Sequence, residues 1–198
     1  MFRRKIKIGI TGGIGSGKSY VCRLLETRGI PFFSCDDTAR REMTANESLR
    51  SELRRLVSPH VYCNDGSLNK PVVRGFLQSS PDNAARLDEV VHPYVRKRWQ
   101  EWAAAQDSEI VAMECALLFE AQFDNEVDST VLVSAACNVR VSRVMKRDGV
   151  DAETVKRWME MQMPEEEKRK RADFIILNDG TQDLERQIDN VLNEILHR

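Results

Sequence analysis

Several features of secreted and membrane proteins are missing from this sequence. Its five cysteines are an odd number, lie far apart and never form a CxxC pair, so neither a disulfide framework nor a thiolate zinc site is indicated. No segment reaches the roughly 18 uninterrupted apolar residues of a membrane-spanning helix. The basic start at residues 1–5 runs into a segment interrupted by Lys7 and Gly9, unlike a signal peptide. These absences predict a cytoplasmic protein without a membrane partner.

A strong charge imbalance is also absent. The 198 residues carry 30 Lys and Arg against 31 Asp and Glu, a formal net charge of -1. This balance argues against a protein that binds nucleic acid by overall electrostatic attraction. Because 41% of the residues are hydrophobic and are interleaved with the charges, the chain is expected to fold. Its length suits one full core with room for a subdomain.

The apolar residues alternate between strand and helix patterns along most of the chain. Ile6, Ile8 and Ile10 recur at period two ahead of a glycine-rich turn, which is typical of a strand that ends in a tight loop. Helices are predicted at about 18–28 and 184–195, and strands at 5–11, 30–33, 109–113, 129–133 and 174–177. This alternation predicts an α/β fold with a parallel sheet.

The stretch between residues 36 and 106 is mostly helical. One apolar stripe lies within residues 49–57 and another within 87–99, both at helical spacing. We expect Pro93 to break or kink the second helix near His92, because proline lacks a backbone N–H and clashes with the preceding turn. This stretch is the predicted subdomain.

The strongest motif is the run from Gly12 to Ser19, GGIGSGKS, which matches the pattern GxxxxGK[ST]. It stands after a predicted strand and before a predicted helix, which is the context that a phosphate-binding loop requires. The glycines let backbone N–H groups converge on phosphate oxygens, Lys18 can bridge the terminal phosphates, and Ser19 can bind magnesium. The loop indicates phosphate chemistry but does not separate a kinase from a GTPase, an ATP-driven machine or a nucleotide-binding regulator.

Six segments, in the same order, resemble the dephospho-coenzyme A kinase family. They are TGGIGSGKS at 11–19, SCDDTAR at 34–40, HP at 92–93, LLFE at 117–120, Arg143 with Arg147-Asp148, and AD at 172–173 with NDG at 178–180. The resemblance spans about residues 6–180. It implies a three-layer P-loop NTPase fold with its core at 1–35, 107–149 and 172–198, a helical acceptor-binding insertion at 36–106, and a lid at 150–171.

The same resemblance implies an activity and site residues. The activity is transfer of the ATP γ-phosphoryl group to the ribose 3′-hydroxyl of dephospho-coenzyme A, with ATP and Mg²⁺ as cofactors and no nucleic-acid partner. The implied catalytic residues are Lys18, Asp36 and Arg143. The implied ATP-binding residues are Gly13, Ile14, Gly15, Ser16, Gly17, Lys18, Ser19, Tyr20, Arg147 and Asn178. The implied acceptor-binding residues are Asp36, Arg40, His92 and Leu118, and Ser19 is the implied metal ligand.

Some positions depart from the family pattern. Ser34 stands where the family has its first Asp, Tyr20 replaces a Thr, and Glu114 stands where the family often has Asp. Glu114 either holds magnesium through water or is a solvated strand end. Asp36 occupies the position of the family's second acidic residue, which orients or deprotonates the acceptor hydroxyl, and this is the preferred role. The alternative is a helix N-cap, where Asp is favoured.

The basic residues also allow two interpretations. Arg140, Arg143 and Arg147 have the spacing of one helical face, which suits either a nucleotide or solvent, and Arg140 is the weakest candidate. In the lid, Lys168 is the preferred phosphate contact. His92 fits an acceptor-binding role and a buried structural role about equally well.

Two other functions remain open at this point. Another small-molecule or nucleoside-monophosphate kinase would share the loop and the lid but bind a different acceptor. A nucleotide-dependent switch would need the same loop without an acceptor site, although the guanine-reading NKxD segment is absent. The sequence does not predict an oligomeric state.

Overall fold

The computed structural model describes residues 4–197, so Met1 to Arg3 of the basic start and Arg198 lie outside the described residues. The strands are β1 (Ile6–Thr11), β2 (Phe32–Ser34), β3 (Ile110–Glu114), β4 (Ser129–Ser134) and β5 (Phe174–Leu177). The helices are α1 (Lys18–Glu26), α2 (Cys35–Ala45), α3 (Glu47–Leu56), α4 (Lys70–Ser79), α5 (Asn83–Ala105), α6 (Cys137–Asp148), α7 (Ala152–Glu160), α8 (Glu165–Arg171) and α9 (Leu184–Leu196), with a 3₁₀ turn at Phe123–Glu126. The described residues divide into two compact units, of which one is Ser34–Ala105 and the other is the remainder.

The sheet has the strand order β2-β3-β1-β4-β5. β1 lies in the middle and pairs in parallel with β3 and β4, and β4 pairs in parallel with β5. Ile10 is in register with both Glu114 and Val131. The carboxyl ends of these strands therefore meet at one edge of the sheet, which is where α/β proteins bind their ligands. The predicted parallel α/β sheet is confirmed.

The strands are apolar on both faces because helices cover the sheet. All six residues of β4 are buried, which is typical of a parallel strand between two helical layers. One core cluster joins Ile8 and Ile10 of β1 to Val21 of α1 and Ile188 of α9. This packing fixes α1, and the phosphate loop that precedes it, against the middle of the sheet.

Four helices, α2 to α5, form the unit Ser34–Ala105. Its largest buried side chain is Trp99, which has no solvent exposure. α5 continues through Pro93 without interruption, so the predicted break is wrong. Proline removes one hydrogen bond from a helix of 23 residues, and the burial of Val91, Val95 and Trp99 along the same helix outweighs that loss.

Candidate active site

The phosphate loop occupies the turn between β1 and α1, at the carboxyl edge of the sheet. Lys18, the first residue of α1, folds back so that its Nζ donates to the carbonyl oxygen of Gly12 at 2.8 Å. The backbone N–H of Ser16 donates to Gly13 O at 3.1 Å and tightens the turn. The Ser16 Oγ is buried and has no hydrogen-bond partner within the described residues. The loop thus contains a hydroxyl that an anionic ligand would satisfy.

Gly17 and Asn178 fit together closely. Gly17 has φ of +92°, a left-handed conformation that favours glycine. A Cβ at this position would lie 2.1 Å from Asn178 Nδ2, and that amide donates to the carbonyl oxygen of Ser16 at 2.9 Å. Asn178 follows β5 directly. The structure therefore brings this predicted ATP-binding residue onto the phosphate loop itself.

Two oxygen-bearing side chains meet at the start of α1. The Ser19 hydroxyl donates to Glu114 Oε1 at 2.6 Å, and Glu114 is the last residue of β3. Glu114 is intermediate in burial and accepts this hydrogen bond beside the loop, so the water-mediated magnesium contact and the solvated strand end both stay predictions. Within residues 4–197 no group of three or more His, Cys, Asp or Glu side chains is placed to hold a metal ion.

The three arginines of α6 have different environments. Arg143 is exposed, and its Nη1 lies 3.5 Å from Gly15 O and 3.4 Å from Ser16 O. Arg147 is exposed and makes two hydrogen bonds to Asp148, at 2.7 and 2.8 Å, which raise the pKa of Arg147 and lower the pKa of Asp148. Arg140 is buried. The shared face predicted from the spacing therefore contains two accessible arginines and one that is enclosed.

Two other predicted contact residues differ in accessibility. Tyr20 lies in the first turn of α1 and is 49% exposed. Leu118 has no exposure, and its Cδ2 would lie 3.0 Å from a Cβ added at Gly9 of β1. The Leu118 side chain therefore packs against the sheet, and its carbonyl oxygen accepts the N–H of Phe123 at 2.8 Å. The predicted acceptor contact of Leu118 is wrong in this arrangement, because the whole residue is enclosed.

The unit Ser34–Ala105 holds the remaining predicted residues. Asp36 is exposed in the first turn of α2. The N-cap of this helix is Ser34, whose hydroxyl accepts the N–H of Asp37 at 3.3 Å. The alternative interpretation of Asp36 as the N-cap is therefore wrong. Arg40 lies one turn further along and pairs with Asp37 at 2.8 Å.

His92 is half-buried in α5, and its Nε2 lies 3.6 Å from Asp88 Oδ1. Burial lowers the pKa of His92 and raises that of Asp88, and the attraction between the two groups opposes both shifts. The structure therefore favours a neutral imidazole at this position, which keeps both a hydrogen-bond donor and an acceptor.

Lys168 of α8 is not available as a phosphate contact. Its side chain is 1% exposed, and its Nζ lies 2.9 Å from Glu120 Oε1 and 3.0 Å from Ala116 O. Glu120 also accepts the N–H of Met163 at 2.9 Å. The predicted phosphate-binding role of Lys168 is wrong in this arrangement, because its charge is already paired with a carboxylate. It joins α8 to the loop after β3.

Sequence reasoning missed two polar residues near the phosphate loop. Gln162 accepts the N–H of Ile14 at 2.8 Å, and Glu165 pairs with Arg140 at 2.5 Å. Both lie within the predicted lid, in a segment rich in glutamate and arginine. Nothing in that composition distinguishes a side chain that reaches the loop from one that faces solvent.

The match to a known family decides between the functions that the loop left open. A model of the dephospho-CoA kinase family matches residues 6–183. The chain belongs to this family. Family membership makes it a kinase with a nucleotide-binding loop, and not a switch. The resemblance noted from the six sequence segments is confirmed.

Individual relatives of the dephospho-CoA kinase family are similar over nearly the whole chain. A dephospho-CoA kinase of Bacteroides fragilis is 40% identical over 184 residues, which cover 92% of this chain and 89% of the relative. A dephospho-CoA kinase of Thermus thermophilus is 40% identical over 194 residues, which cover 98% and 93% of the two chains.

Solved structures agree with this assignment. A crystal structure from Thermus thermophilus has a TM-score of 0.82 and 38% identity, and covers 98% of this chain and 97% of that chain. A shikimate kinase from Bacteroides thetaiotaomicron has a TM-score of 0.53 and 16% identity, and covers 98% and 99% of the two chains. The second likeness concerns the fold alone. The P-loop kinase fold is confirmed.

No helix among residues 4–197 has the length and apolarity needed to cross a membrane.

Proposed function

We propose that this chain transfers the γ-phosphoryl group of ATP to the ribose 3′-hydroxyl of dephospho-CoA, giving CoA and ADP, and that Lys18, Asp36 and Arg143 carry out the transfer. Membership of the dephospho-CoA kinase family supports the reaction. The phosphate loop is the observation on which the site assignment rests. Lys18 Nζ donates a hydrogen bond to Gly12 O within the loop. The buried Ser16 hydroxyl has no hydrogen-bond partner within the described residues.

The donor half of the reaction depends on electrostatics. Phosphoryl transfer spreads negative charge over the γ-phosphoryl oxygens, so positioning and charge stabilisation provide most of the catalysis. Lys18 would leave Gly12 O and contact the terminal phosphates. Arg143, whose guanidinium lies beside the carbonyl groups of Gly15 and Ser16, would stabilise charge on the transferred group. Gly13, Arg147 and Tyr20 complete the proposed nucleotide site.

Mg²⁺ fits the pair of Ser19 and Glu114. Their oxygens lie 2.6 Å apart beside the loop, and Mg²⁺ prefers oxygen ligands supplemented by water and phosphate. Ser19 would bind the ion directly and Glu114 would hold it through water. When bound, the ion would neutralise charge on the β- and γ-phosphate oxygens.

The acceptor half is assigned to the unit Ser34–Ala105. Asp36 would position the 3′-hydroxyl and accept its proton, and its exposure in the first turn of α2 supports this role. Arg40 and His92 would bind the acceptor. Because Ser34 already caps α2, the Asp36 carboxylate is not needed for the helix.

We also propose that residues 150–171, which include α7 and α8, act as a lid. Closure over the nucleotide would exclude water and prevent wasteful hydrolysis of ATP. A cytoplasmic location is proposed as well, because all five cysteines are free and free thiols suit a reducing compartment.

A coupled ADP-release assay tests the reaction directly. ATP and magnesium would be supplied with dephospho-CoA, adenosine, AMP or no acceptor, and the product would be identified by mass spectrometry. We expect a phosphate to be gained only by dephospho-CoA. Phosphorylation of AMP or adenosine would contradict the proposed acceptor, and ADP release without a phosphorylated product would contradict the transfer.

Two substitutions test the assigned roles. Lys18→Ala should lower turnover about 10²–10³-fold, as expected for the loss of a group that stabilises transition-state charge. Asp36→Asn should keep ADP binding and lower turnover about 10²–10⁴-fold, the range for a lost general base. Asp82→Asn is the control, because this exposed carboxylate of the same unit has no proposed chemical role. Equal effects of the two Asp→Asn changes would remove Asp36 from the mechanism.

A further inference from the structure

The tip of the phosphate loop is held by side chains from outside the loop. The N–H of Ile14 donates to Gln162 Oε1 at 2.8 Å, and the carbonyl oxygen of Ile14 accepts from Arg140 Nε at 3.0 Å. These partners are 148 and 126 residues away in the chain. Both polar groups of a single loop residue are therefore bound by α6 and by the segment that leads into α8.

Arg140 is enclosed while it makes this contact. Its side chain is 8% exposed and its Nη1 lies 2.5 Å from Glu165 Oε2. On the other side, a Cβ added at Gly13 would lie 2.2 Å from Arg140 Nη2. The guanidinium therefore lies directly behind the loop, at a place where only glycine leaves room for it.

Glu165 neutralises this buried charge and is itself held in place. Its Oε1 accepts the Ser134 hydroxyl at 2.5 Å, and Ser134 also accepts from Arg169 Nη2 at 2.6 Å. Ser134 is the last residue of β4, whereas Glu165 and Arg169 belong to α8. The contact between Arg140 and Ile14 is thus built into a network that joins the sheet, the proposed lid and the loop.

We propose that Arg140 is a positioning residue that sets the tip of the phosphate loop through Ile14, with Glu165 and Gln162 coupling this position to α8 and the segment before it. We call Arg140, Glu165 and Gln162 the Ile14 clamp. Arginine suits the position because its fork donates in two directions at once, from Nε to the loop and from Nη1 to the carboxylate. This inference rests on the proposed function only in that the loop binds ATP.

The clamp acts on the nucleotide and not on the acceptor, which gives it a kinetic signature. Arg140→Met removes the Nε donor and keeps an unbranched stem, because a methyl group stands where Nε was. It should raise the KM for ATP and the Kd for ADP about tenfold, the effect of losing one hydrogen bond to a charged donor. The KM for dephospho-CoA should change by less than about twofold. Arg140→Met should also lower stability, because it leaves Glu165 without its counter-ion.

A double variant separates positioning from simple stability. In Arg140→Met/Glu165→Gln a thioether and a neutral amide replace the ion pair, so the uncompensated charge is gone and thermal stability should recover most of the loss. The donor to Ile14 O stays absent, so the KM for ATP should remain about tenfold raised. Recovery of the ATP KM together with stability would overturn the proposal, because the pair would then matter only for folding.

Controls keep the result specific to the clamp. Lys146→Gln removes a positive charge from an exposed position of the same helix, and it should leave the KM for ATP and the Kd for ADP unchanged. Gln162→Leu removes the acceptor of the Ile14 N–H without changing the charge beside the loop, and it should also raise the Kd for ADP. An equal rise of the ATP and dephospho-CoA KM values in Arg140→Met would also contradict the proposal.

The nucleotide titration distinguishes failure of the clamp from failure of the proposed function. Calorimetric binding of ADP needs no acceptor and no turnover. If the wild-type chain binds ADP but does not phosphorylate dephospho-CoA, the acceptor assignment fails and the clamp is still tested by the ADP Kd of the variants. If Arg140→Met binds ADP as the wild type does, the clamp fails whatever the acceptor is.

Discussion

The burial of the ion pair between Lys168 and Glu120 predicts which of two substitutions, one at each partner, lowers stability more. The two side chains lie 2.9 Å apart, and the lysine is 1% exposed whereas the glutamate is 23% exposed. Breaking a buried ion pair from one side is costly because the remaining charge has lost its partner. The cost should therefore depend on which charge is left behind.

Glu120→Gln should be the more damaging change. It leaves the Lys168 ammonium enclosed, with Ala116 O still accepting, and we expect a loss of about 3–5 kcal/mol in unfolding free energy. Lys168→Met leaves a carboxylate that reaches water and still accepts the N–H of Met163. We expect that change to cost about 1–3 kcal/mol.

Urea and thermal unfolding of the two variants would measure this order. For a chain of this length each kcal/mol lowers Tm by about 2–4 °C, so a loss of about 3 kcal/mol in Glu120→Gln lowers it by about 6–12 °C. Lys170→Met is the matched control, because this lysine of the same helix has a side chain 68% exposed, and solvent screens its pair with Glu167 so that the pair adds little to stability. The reasoning is refuted if Lys168→Met costs more than Glu120→Gln, or if neither exceeds the control.

Three further predictions concern the loop and the helical unit. Gly17→Ala should lower ADP affinity in a titration, because the added Cβ would lie 2.1 Å from Asn178 Nδ2 at φ of +92°; wild-type affinity would contradict this. Ser34→Ala should cost the helical unit about 1 kcal/mol in urea unfolding through the lost cap, whereas Ser34→Asp should keep the cap. Burial lowers the pKa of His92 below its unfolded value of 6.5, so stability is complete above that pH and falls as the pH drops toward the folded pKa. Urea unfolding at about pH 7.5 and about pH 5.5 should show a loss in the wild type that is smaller in His92→Gln.

The sequence predicted the elements that repeat a local pattern. β5 is predicted at 174–177 and lies at Phe174–Leu177, because a four-residue apolar run with two β-branched residues is too short for a helix. The phosphate loop is predicted from its eight residues together with the strand before them and the helix after them, all of which are contiguous in the chain. By contrast, the sheet order β2-β3-β1-β4-β5 depends on which strands pair, and strand periodicity does not carry that information.

The burial and partners of several polar residues could not be predicted from local sequence patterns. Lys168 and Arg140 look like parts of basic surfaces in the sequence, yet both are buried because acidic partners reach them from distant segments. The N-cap of α2 was assigned as an alternative role of Asp36 when Ser34, two residues earlier, provides it. A sequence locates a helix end only to within one or two residues. Because a cap belongs to one particular residue, the sequence does not identify which of several polar residues provides it.

The three tryptophans are placed so that their fluorescence can report separately on the helical unit and on the proposed lid. Trp99 and Trp102 stack with ring centroids 5.7 Å apart in the helical unit, and Trp99 is fully shielded from water. Trp158 lies in α7 and is 36% exposed. Fluorescence of Trp158→Phe, which keeps only the stacked pair, therefore reports on the helical unit, and its difference from the wild-type signal during nucleotide binding reports on the proposed lid. The natural sequence thus provides optical probes for two separate segments, and no dye has to be attached.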